Sequence, residues 1–370
     1  MQFDLSEEQH ELVTFIRSLL QQRSDSTAVR RAIASDAGFD PEVWRVLCEE
    51  IGAASLAIPE EYGGAGFTAY ETHLVLEELG YALTPSPYLG SVAIAAQALL
   101  ASGNDEACAR LLPGIAAGTS IATLAWGDAV GRWSPDTTDV VATPGEPWRL
   151  SGTVPLVLDG TAADVVLVIA QTPDGPGLFE VIAPEAIERD RTPAVDPTLQ
   201  FATLRFDGTP AVPIAIGDAA HFDAVRDRAL TAISALQVGA AARGLDMTVD
   251  YAKQRVQFGR QIGSFQALKH RMADLHVRVD TARTASRAAA WAVANDAPEV
   301  PELAALAKSW CSEGLDLVAS ETVQLHGGIG ITWEHDAQLV FKRAHATGQL
   351  FGTASEQRTR LAHSLGIVGG

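Results

Sequence analysis

The chain has 370 residues, of which 47% are hydrophobic and 20% are charged, and its formal net charge is −19 at pH 7. This length exceeds the size at which a single hydrophobic core keeps growing, so two or three packed domains are expected. The negative charge repels nucleic acid and acidic membrane surfaces, and no apolar run approaches the ~20 residues of a membrane helix. These properties exclude nucleic-acid and membrane partners and predict a soluble globular protein.

The start of the chain and the cysteines indicate the compartment. Residues 1–20 contain four carboxylates, whereas a signal peptide has a basic start and an uninterrupted apolar centre. This segment is therefore predicted to be a helix of a cytoplasmic protein. The three cysteines are widely spaced without a metal-binding pattern, so they are predicted to be buried thiols: Cys48, Cys108 and Cys311.

Helical patterns fill the first third of the chain. Three positions have helix-start signals, either a capping box or an aspartate followed by proline: Ser6 with Gln9, Thr68 with Glu71, and Asp40 with Pro41. Gly52 is predicted to end the helix that starts at Asp40, and Gly80 to end the helix that starts at Thr68.

The remaining two thirds differ from each other in pattern. Short β-rich runs, such as 165–170 and 178–182, follow Thr119, and long helical patterns return after His221 at 224–255, 265–294, 302–325 and 334–365. Helices separated from a β block predict an α+β fold. The predicted domains are an N-terminal helical domain at 1–118, a β domain at 119–220 and a C-terminal helical bundle at 221–370.

Two stretches are far more specific than the composition. Residues 251–266 read YAKQRVQFGRQIGSFQ, and residues 324–330 read QLHGGIG. In this order and separation, within a three-block chain, they resemble the acyl-CoA dehydrogenase family. The resemblance covers nearly the whole chain and implies a C-terminal four-helix bundle, FAD as cofactor, and α,β-desaturation of an acyl-CoA thioester.

The chemistry of these motifs suits a flavin nucleotide. Arg255 offers a planar fork of donors to a pyrophosphate, aromatic rings can pack against flat cofactor rings, and paired glycines let backbone approach the nucleotide. Alone, Arg255 would be a surface cation and the glycine pair a helix stop. The resemblance implies that these groups reach a neighbouring subunit's FAD; the predicted cofactor-binding residues are Arg255, Gln257, Phe258, Phe265, Gln266, Gln324, Gly327 and Gly328.

The residues expected at the substrate depart from the family. A family member removes the α proton with a glutamate while the flavin accepts a hydride. Most members place that glutamate in a Tyr-Glu-Gly-Thr segment, where this chain has Phe351, and a minority place it at the position of Ala229. No catalytic residue is therefore predicted here. Asp227 matches a position that contacts the CoA portion and is the predicted substrate residue, whereas Leu230 replaces an arginine that helps hold acyl-CoA.

The β domain has lost family features as well. The family loop that bonds the flavin ring corresponds to residues 124–132, and a second family stretch near the reactive face corresponds to about 155–159; both match poorly. Motifs that serve a neighbour's FAD persist while those serving the chain's own flavin ring and thioester are lost. This asymmetry is typical of the base-free subunit of α2β2 complexes, such as bacterial relatives acting on CoA thioesters of steroid side chains.

Two other interpretations stay open. The chain is either a self-sufficient dehydrogenase with a displaced carboxylate, such as Asp227 or Glu356, or a flavin-free scaffold protein. The resemblance further implies a base-bearing partner subunit, acyl-CoA, and an electron-transfer flavoprotein or similar acceptor. No metal site is predicted, because residues 333–336 with His345 supply no complete ligand set.

Overall fold

The computed structural model describes residues 5–128 and 131–367. Residues 1–4 of the predicted first helix and residues 129–130 of the predicted flavin loop lie outside the described residues. The N-terminal helices are α1 (Glu7–Arg23), α2 (Ser26–Ala34), α3 (Pro41–Arg45), α4 (Ala69–Ala82), α5 (Ala96–Ala101) and α6 (Asp105–Ala116). Both predicted capping boxes are confirmed at α1 and α4, and the aspartate–proline start is confirmed at α3.

Helix ends are only partly as predicted. A π-helical turn continues α3 to Glu50, and Gly52 follows it with a left-handed φ of 73°. The prediction that Gly80 ends α4 is wrong, because the helix continues to a left-handed Leu83. A Cβ on Gly80 would lie 2.3 Å from the carbonyl oxygen of Leu236. Gly80 therefore allows a close helix crossing, which a sequence cannot distinguish from a helix stop.

The β domain is a small closed sheet. Its strands are β1 (Ala122–Ala125), β2 (Val141–Thr143), β3 (Trp148–Leu158), β4 (Val165–Thr172), β5 (Gly175–Val181), β6 (Glu188–Thr192) and β7 (Phe201–Ile216). Strands β4, β5, β7, β3 and β2 pair around a ring, with β1 parallel to β4 and β6 antiparallel to β7. Both predicted strands are present as β4 and β5. Glycines and prolines within β3 and β7 concealed these longer strands from the sequence pattern.

An irregularity in β3 shapes the side of the domain that holds the predicted flavin stretch. The pairing of β3 with β7 shifts register between Val154 and Val157, and Leu156 between them has a left-handed φ of 55°. A bulge of this kind redirects side chains and bends the strand. The stretch predicted to lie near the reactive face is therefore irregular in this chain.

The C-terminal third is a helical bundle. Its helices are α7 (Ala219–Gln254), α8 (Gln266–Ala294), α9 (Val300–His326), α10 (Ala337–Gln349) and α11 (Ala354–Ser364), and a short hairpin of β8 (Val256–Gln257) and β9 (Arg260–Gln261) joins α7 to α8. The helical stretch predicted over 334–365 is divided into the two helices α10 and α11. Phe351 has a left-handed φ of 55°, and Thr353 starts α11 with a capping box to Glu356.

The largest hydrophobic cluster joins all three parts of the chain. It includes Leu79 of α4, Leu167 of β4 and Leu230 of α7. The three cysteines are buried and unpaired, as predicted. Within the described ranges, no helix combines the length and apolar character needed to cross a membrane.

Candidate functional site

The first predicted cofactor motif forms an exposed hairpin at the end of α7. Arg255 caps the helix with extended backbone, and β8 and β9 follow as a two-residue hairpin. The turn residues Phe258 and Gly259 both have positive φ, 54° and 76°, as tight hairpins of this kind require. The turn leaves the Phe258 side chain 92% exposed. A large aromatic ring therefore projects into solvent from this surface.

Cationic and aromatic groups are adjacent on this hairpin. The Arg255 guanidinium is exposed and has no ion-pair or hydrogen-bond partner among residues 5–128 and 131–367. The Arg260 guanidinium lies 4.0 Å from the centroid of the Phe265 ring, and that ring lies edge-on to Phe258 with centroids 6.2 Å apart. The surface thus presents free guanidinium donors beside apolar rings, which fits an anionic nucleotide supplied from outside the chain.

The second motif lies beside the first. Tyr251 of α7 stacks on His326 of α9 with ring centroids 4.5 Å apart, which brings the hairpin next to the 327–331 turn. Gly327 has a φ of 64°, and an added Cβ on either Gly327 or Gly328 would meet no atom within 4 Å. The glycines therefore leave open space over the turn, as an approaching cofactor requires.

The remaining predicted cofactor residues are polar and exposed. Gln257 donates to the carbonyl oxygen of Val256, and the Gln266 side chain lies 2.9 Å from His270 Nε2. Gln324 lies on the exposed side of α9 one turn before the glycines. The structure brings all eight predicted residues onto neighbouring surface segments, and it places none of them in the core.

Both positions of the family base are filled by apolar side chains in the core. Ala229 and Phe351 are 0% and 2% exposed. The Phe351 ring packs against Trp126 and Trp133, with centroid separations of 4.4 Å and 5.1 Å. These three rings, the aromatic plug, lie where the base-bearing segment meets the predicted flavin loop. Packing of these rings stabilises the fold, and the cluster contains no carboxylate that could accept a proton.

The β-domain stretch that the resemblance places near the flavin also departs from the family. Leu156 contacts the predicted flavin loop, since its Cδ1 would lie 2.8 Å from a Cβ added to Gly131. Asp159 is buried beside Gly90, and burial raises the pKa of its carboxyl to about 8. Residues 155–159 contain neither a tryptophan nor a side-chain hydroxyl.

The two carboxylates that were alternative bases are already engaged. The buried Asp227 carboxylate lies 3.1 Å from Arg226 Nε and 2.6 Å from an Arg360 guanidinium nitrogen. Glu356 accepts hydrogen bonds from the backbone and hydroxyl of Thr353, and these bonds lower the pKa of its carboxyl. Asp227 is thus occupied by two arginines, and the lowered pKa of Glu356 makes that carboxylate a weak proton acceptor.

The structure adds residues that the sequence reasoning missed. Trp126 lies within the predicted flavin loop and Trp133 directly follows it, and these two closely spaced tryptophans were the available signal. Lys308 is fully buried on α9, and its Nζ donates to the carbonyl oxygens of Gly348 at 3.2 Å and Gly352 at 2.9 Å. The lysine thereby ties α9 to the turn that carries Phe351.

The histidines near the C-terminus have aromatic partners. The His335 ring packs at a tilt against His326 with centroids 4.5 Å apart, and His345 packs edge-on to Phe341 at the same separation. In the part of the chain that the structure describes, no three His, Cys, Asp or Glu side chains form a group that could hold a metal ion.

Comparison with known proteins defines the class. The sequence profile of the acyl-CoA dehydrogenase N-terminal domain matches residues 6–119, and that of the C-terminal domain matches residues 226–366. The chain belongs to the acyl-CoA dehydrogenase family, whose members bind FAD and oxidise CH–CH bonds. The predictions of family, fold class and cofactor are therefore confirmed.

Particular relatives share the full length of the chain. It is 40% identical over 359 residues to acyl-CoA dehydrogenase IpdE2 of Mycolicibacterium smegmatis, which covers 96% of this chain and 98% of that protein. Its structure matches a chain of the ChsE4-ChsE5 complex from Mycobacterium tuberculosis with a TM-score of 0.91, 31% identity and 100% coverage of both chains. It also matches a Tcur3481-Tcur3483 steroid ACAD variant with a TM-score of 0.88, 32% identity and 98% coverage of both.

Proposed function

We propose that this chain is the non-catalytic subunit of an FAD-dependent acyl-CoA dehydrogenase and completes the FAD site of a base-bearing partner in an α2β2 complex. The observation that carries the proposal is a contrast within one molecule. The aromatic plug closes the region where the chain's own base would act, while the Arg255 hairpin and the glycine turn are open.

The exposed hairpin surface does not stabilise the isolated chain, which indicates that a partner covers it. A 92% exposed Phe258 beside a guanidinium without a partner gains nothing for the stability of the isolated chain. Aromatic rings and arginines are enriched at the centres of protein interfaces, where they bury large areas and bond anions. An interface that presents a nucleotide pyrophosphate to Arg255 would satisfy both groups.

When bound, FAD supplies the hydride acceptor of the reaction. The residues of this chain would bind and orient it: Arg255 would bond the pyrophosphate through two donors, and Phe258 would exclude water from the nucleotide. The partner would supply the carboxylate that takes the α proton. This division of labour accounts for Phe351 and Ala229 at the two base positions.

The relatives support the partner and substrate classes. The ChsE4-ChsE5 structure is that of a complex, and Tcur3481-Tcur3483 is a steroid ACAD. We extend these properties to this chain, with a CoA thioester of a steroid-type acyl group as substrate of the complex. An electron-transfer flavoprotein or a similar protein is the proposed electron acceptor, as membership of the acyl-CoA dehydrogenase family implies.

The two other functions are less well supported. A self-sufficient dehydrogenase requires a free carboxylate, whereas Asp227 is paired with arginines and Glu356 caps α11. A flavin-free scaffold would not need the open space over Gly327 and Gly328. Steady acyl-CoA turnover by the single chain would support the first alternative. A complex with a partner that is colourless, because it contains no flavin, would support the second.

The test compares flavin retention in complexes that contain Arg255→Ala, Arg255→Lys or Arg31→Ala. Arg31 is a matched control because it is also exposed and lies on α2, far along the chain from the cofactor motifs. A charged hydrogen bond of this kind contributes about 1.5 to 3 kcal/mol, so Arg255→Ala should bind FAD about 10- to 150-fold more weakly. Arg255→Lys should recover part of the loss, because an ammonium lacks the planar fork.

The measurement is bound FAD per complex after dialysis without added flavin, with assembly checked by size-exclusion chromatography. Arg255→Ala should assemble, lose flavin and regain activity at high FAD, while Arg31→Ala retains flavin. Equal flavin occupancy in the Arg255→Ala and wild-type complexes would refute the role proposed for this subunit.

A further inference from the structure

A small cavity, mainly apolar in its lining but with several polar side chains, lies between the N-terminal helices and α7, away from the cofactor motifs. Its volume is about 30 Å³. A cavity needs roughly 10 to 15 Å³ to hold one water molecule. The lining is contributed by α4, the turn before α5, α5 itself, α7 and the end of α8, and includes Thr72, His73, Gln97 and Arg228.

Polar atoms in this lining have no protein partner. His73 Nδ1 and Gln97 Nε2 are buried and accept or donate no hydrogen bond within the described residues. The His73 side chain is 2% exposed. An unpaired buried polar atom is destabilising, so these two atoms beside one cavity point to a bound molecule.

The hydrogen bonds of Ser234 and Ser286 determine which ring nitrogen of His73 carries the proton. The Ser234 hydroxyl donates its proton to the carbonyl oxygen of Thr231 at 2.7 Å, so at its 2.7 Å contact with Ser286 it accepts. Ser286 therefore uses its own proton there and accepts from His73 Nε2 at 3.1 Å. With the proton on Nε2, His73 Nδ1 is an acceptor. Burial lowers the pKa of His73 to about 4, which keeps the ring neutral.

The polar atoms around the cavity fit a neutral occupant better than an ion. A small anion would meet the Nδ1 lone pair of His73, and a cation would meet the Arg228 guanidinium, which lies 3.6 Å from Asp296. A hydroxyl satisfies the remaining groups, because its proton can go to His73 Nδ1 while its oxygen accepts from the Gln97 amide.

We propose that this cavity is a binding site for neutral hydroxyl groups, occupied by ordered water or by the hydroxyl of a small alcohol, and that the occupant links Gln97 of α5 to the His73–Ser286–Ser234 chain. The linked residues lie on α5, α4, α8 and α7. The bound hydroxyl thus extends one continuous chain of hydrogen bonds through four helices that packing alone brings together.

The experiment is a crystal structure of the full chain, alone or in its complex, at a resolution that shows ordered water. A density peak is expected within hydrogen-bonding distance of both His73 Nδ1 and Gln97 Nε2. Crystals soaked in ethanol distinguish the source of the hydroxyl: an unchanged peak identifies water, and an elongated peak in the same place identifies an alcohol-accepting site. A cavity without density in both crystals overturns the proposal.

A variant tests the role of the amide in the same site. Gln97→Met has nearly the same length and removes the donor, so the peak should disappear or lose most of its occupancy. Gln9→Met is the control, because Gln9 bonds Glu71 and does not line the cavity; it should leave the peak unchanged. A peak of full occupancy in Gln97→Met would show that the amide does not hold the occupant.

Discussion

The aromatic plug makes a quantitative prediction about Phe351. Its ring is 2% exposed and packs against two indole rings with centroids at 4.4 Å and 5.1 Å. Truncation of a buried phenylalanine removes the transfer free energy of the ring and leaves a cavity, which together amount to about 3 to 5 kcal/mol. Phe351→Ala should therefore lower the free energy of unfolding by about that amount.

The backbone at this position adds a second, opposite term. Phe351 has a φ of 55°, a conformation that costs an L-residue roughly 1 to 2 kcal/mol and costs glycine almost nothing. Phe351→Gly loses the same ring but is freed from that strain. The glycine variant should therefore be more stable than the alanine variant by about 1 kcal/mol, although glycine ordinarily destabilises a folded chain.

Urea unfolding of the two variants, followed by tryptophan fluorescence and far-UV circular dichroism, measures both effects. Phe15→Ala is the control, because that ring is 64% exposed on α1 and its removal should change the unfolding free energy by no more than about 0.5 kcal/mol. A loss below about 1 kcal/mol in Phe351→Ala, or an alanine variant more stable than the glycine variant, would refute the packing and strain argued here.

Two further predictions follow from other buried positions. Ala229→Glu places a carboxylate at one family base position and should lower the unfolding free energy by about 3 kcal/mol or more, while the isolated chain shows no acyl-CoA-dependent flavin bleaching. The control Ala220→Glu, in the exposed first turn of α7, should leave the unfolding free energy nearly unchanged. Flavin bleaching by the Ala229→Glu variant would contradict this prediction. Burial lowers the pKa of Lys308 from 10.5 to about 7. Between these two pH values the unfolded chain binds more protons at Lys308 than the folded chain does. The unfolding free energy should therefore rise by up to about 5 kcal/mol as pH increases from about 7 to 10.5. Lys308→Met should remove this rise, whereas Lys269→Met, at an exposed site on α8, should keep it. The measurement is the urea midpoint of the wild type and both variants at about pH 7.5 and 9.5. An equal change of midpoint with pH in all three proteins would contradict the buried state of Lys308.

The sequence alone determined much of the local structure. Capping boxes at Ser6 and Thr68, and the aspartate–proline start at Asp40, depend on contacts within three residues, so they could be read directly and are present in the structure. The family and its cofactor could also be predicted, because the motifs at 251–266 and 324–330 combine specific residue types in a fixed order. The absence of a glutamate at positions 229 and 351 was visible without coordinates.

Only the tertiary structure decided how those positions are used. Gly80 has the sequence appearance of a helix stop, yet its neighbour across the crossing is Leu236, more than 150 positions away along the chain. The plug joins Phe351 to Trp126 and Trp133, and the ion pairs of Asp227 include Arg360. Such contacts depend on where the packed helices and the closed sheet bring distant segments together, which local propensity and periodicity do not encode.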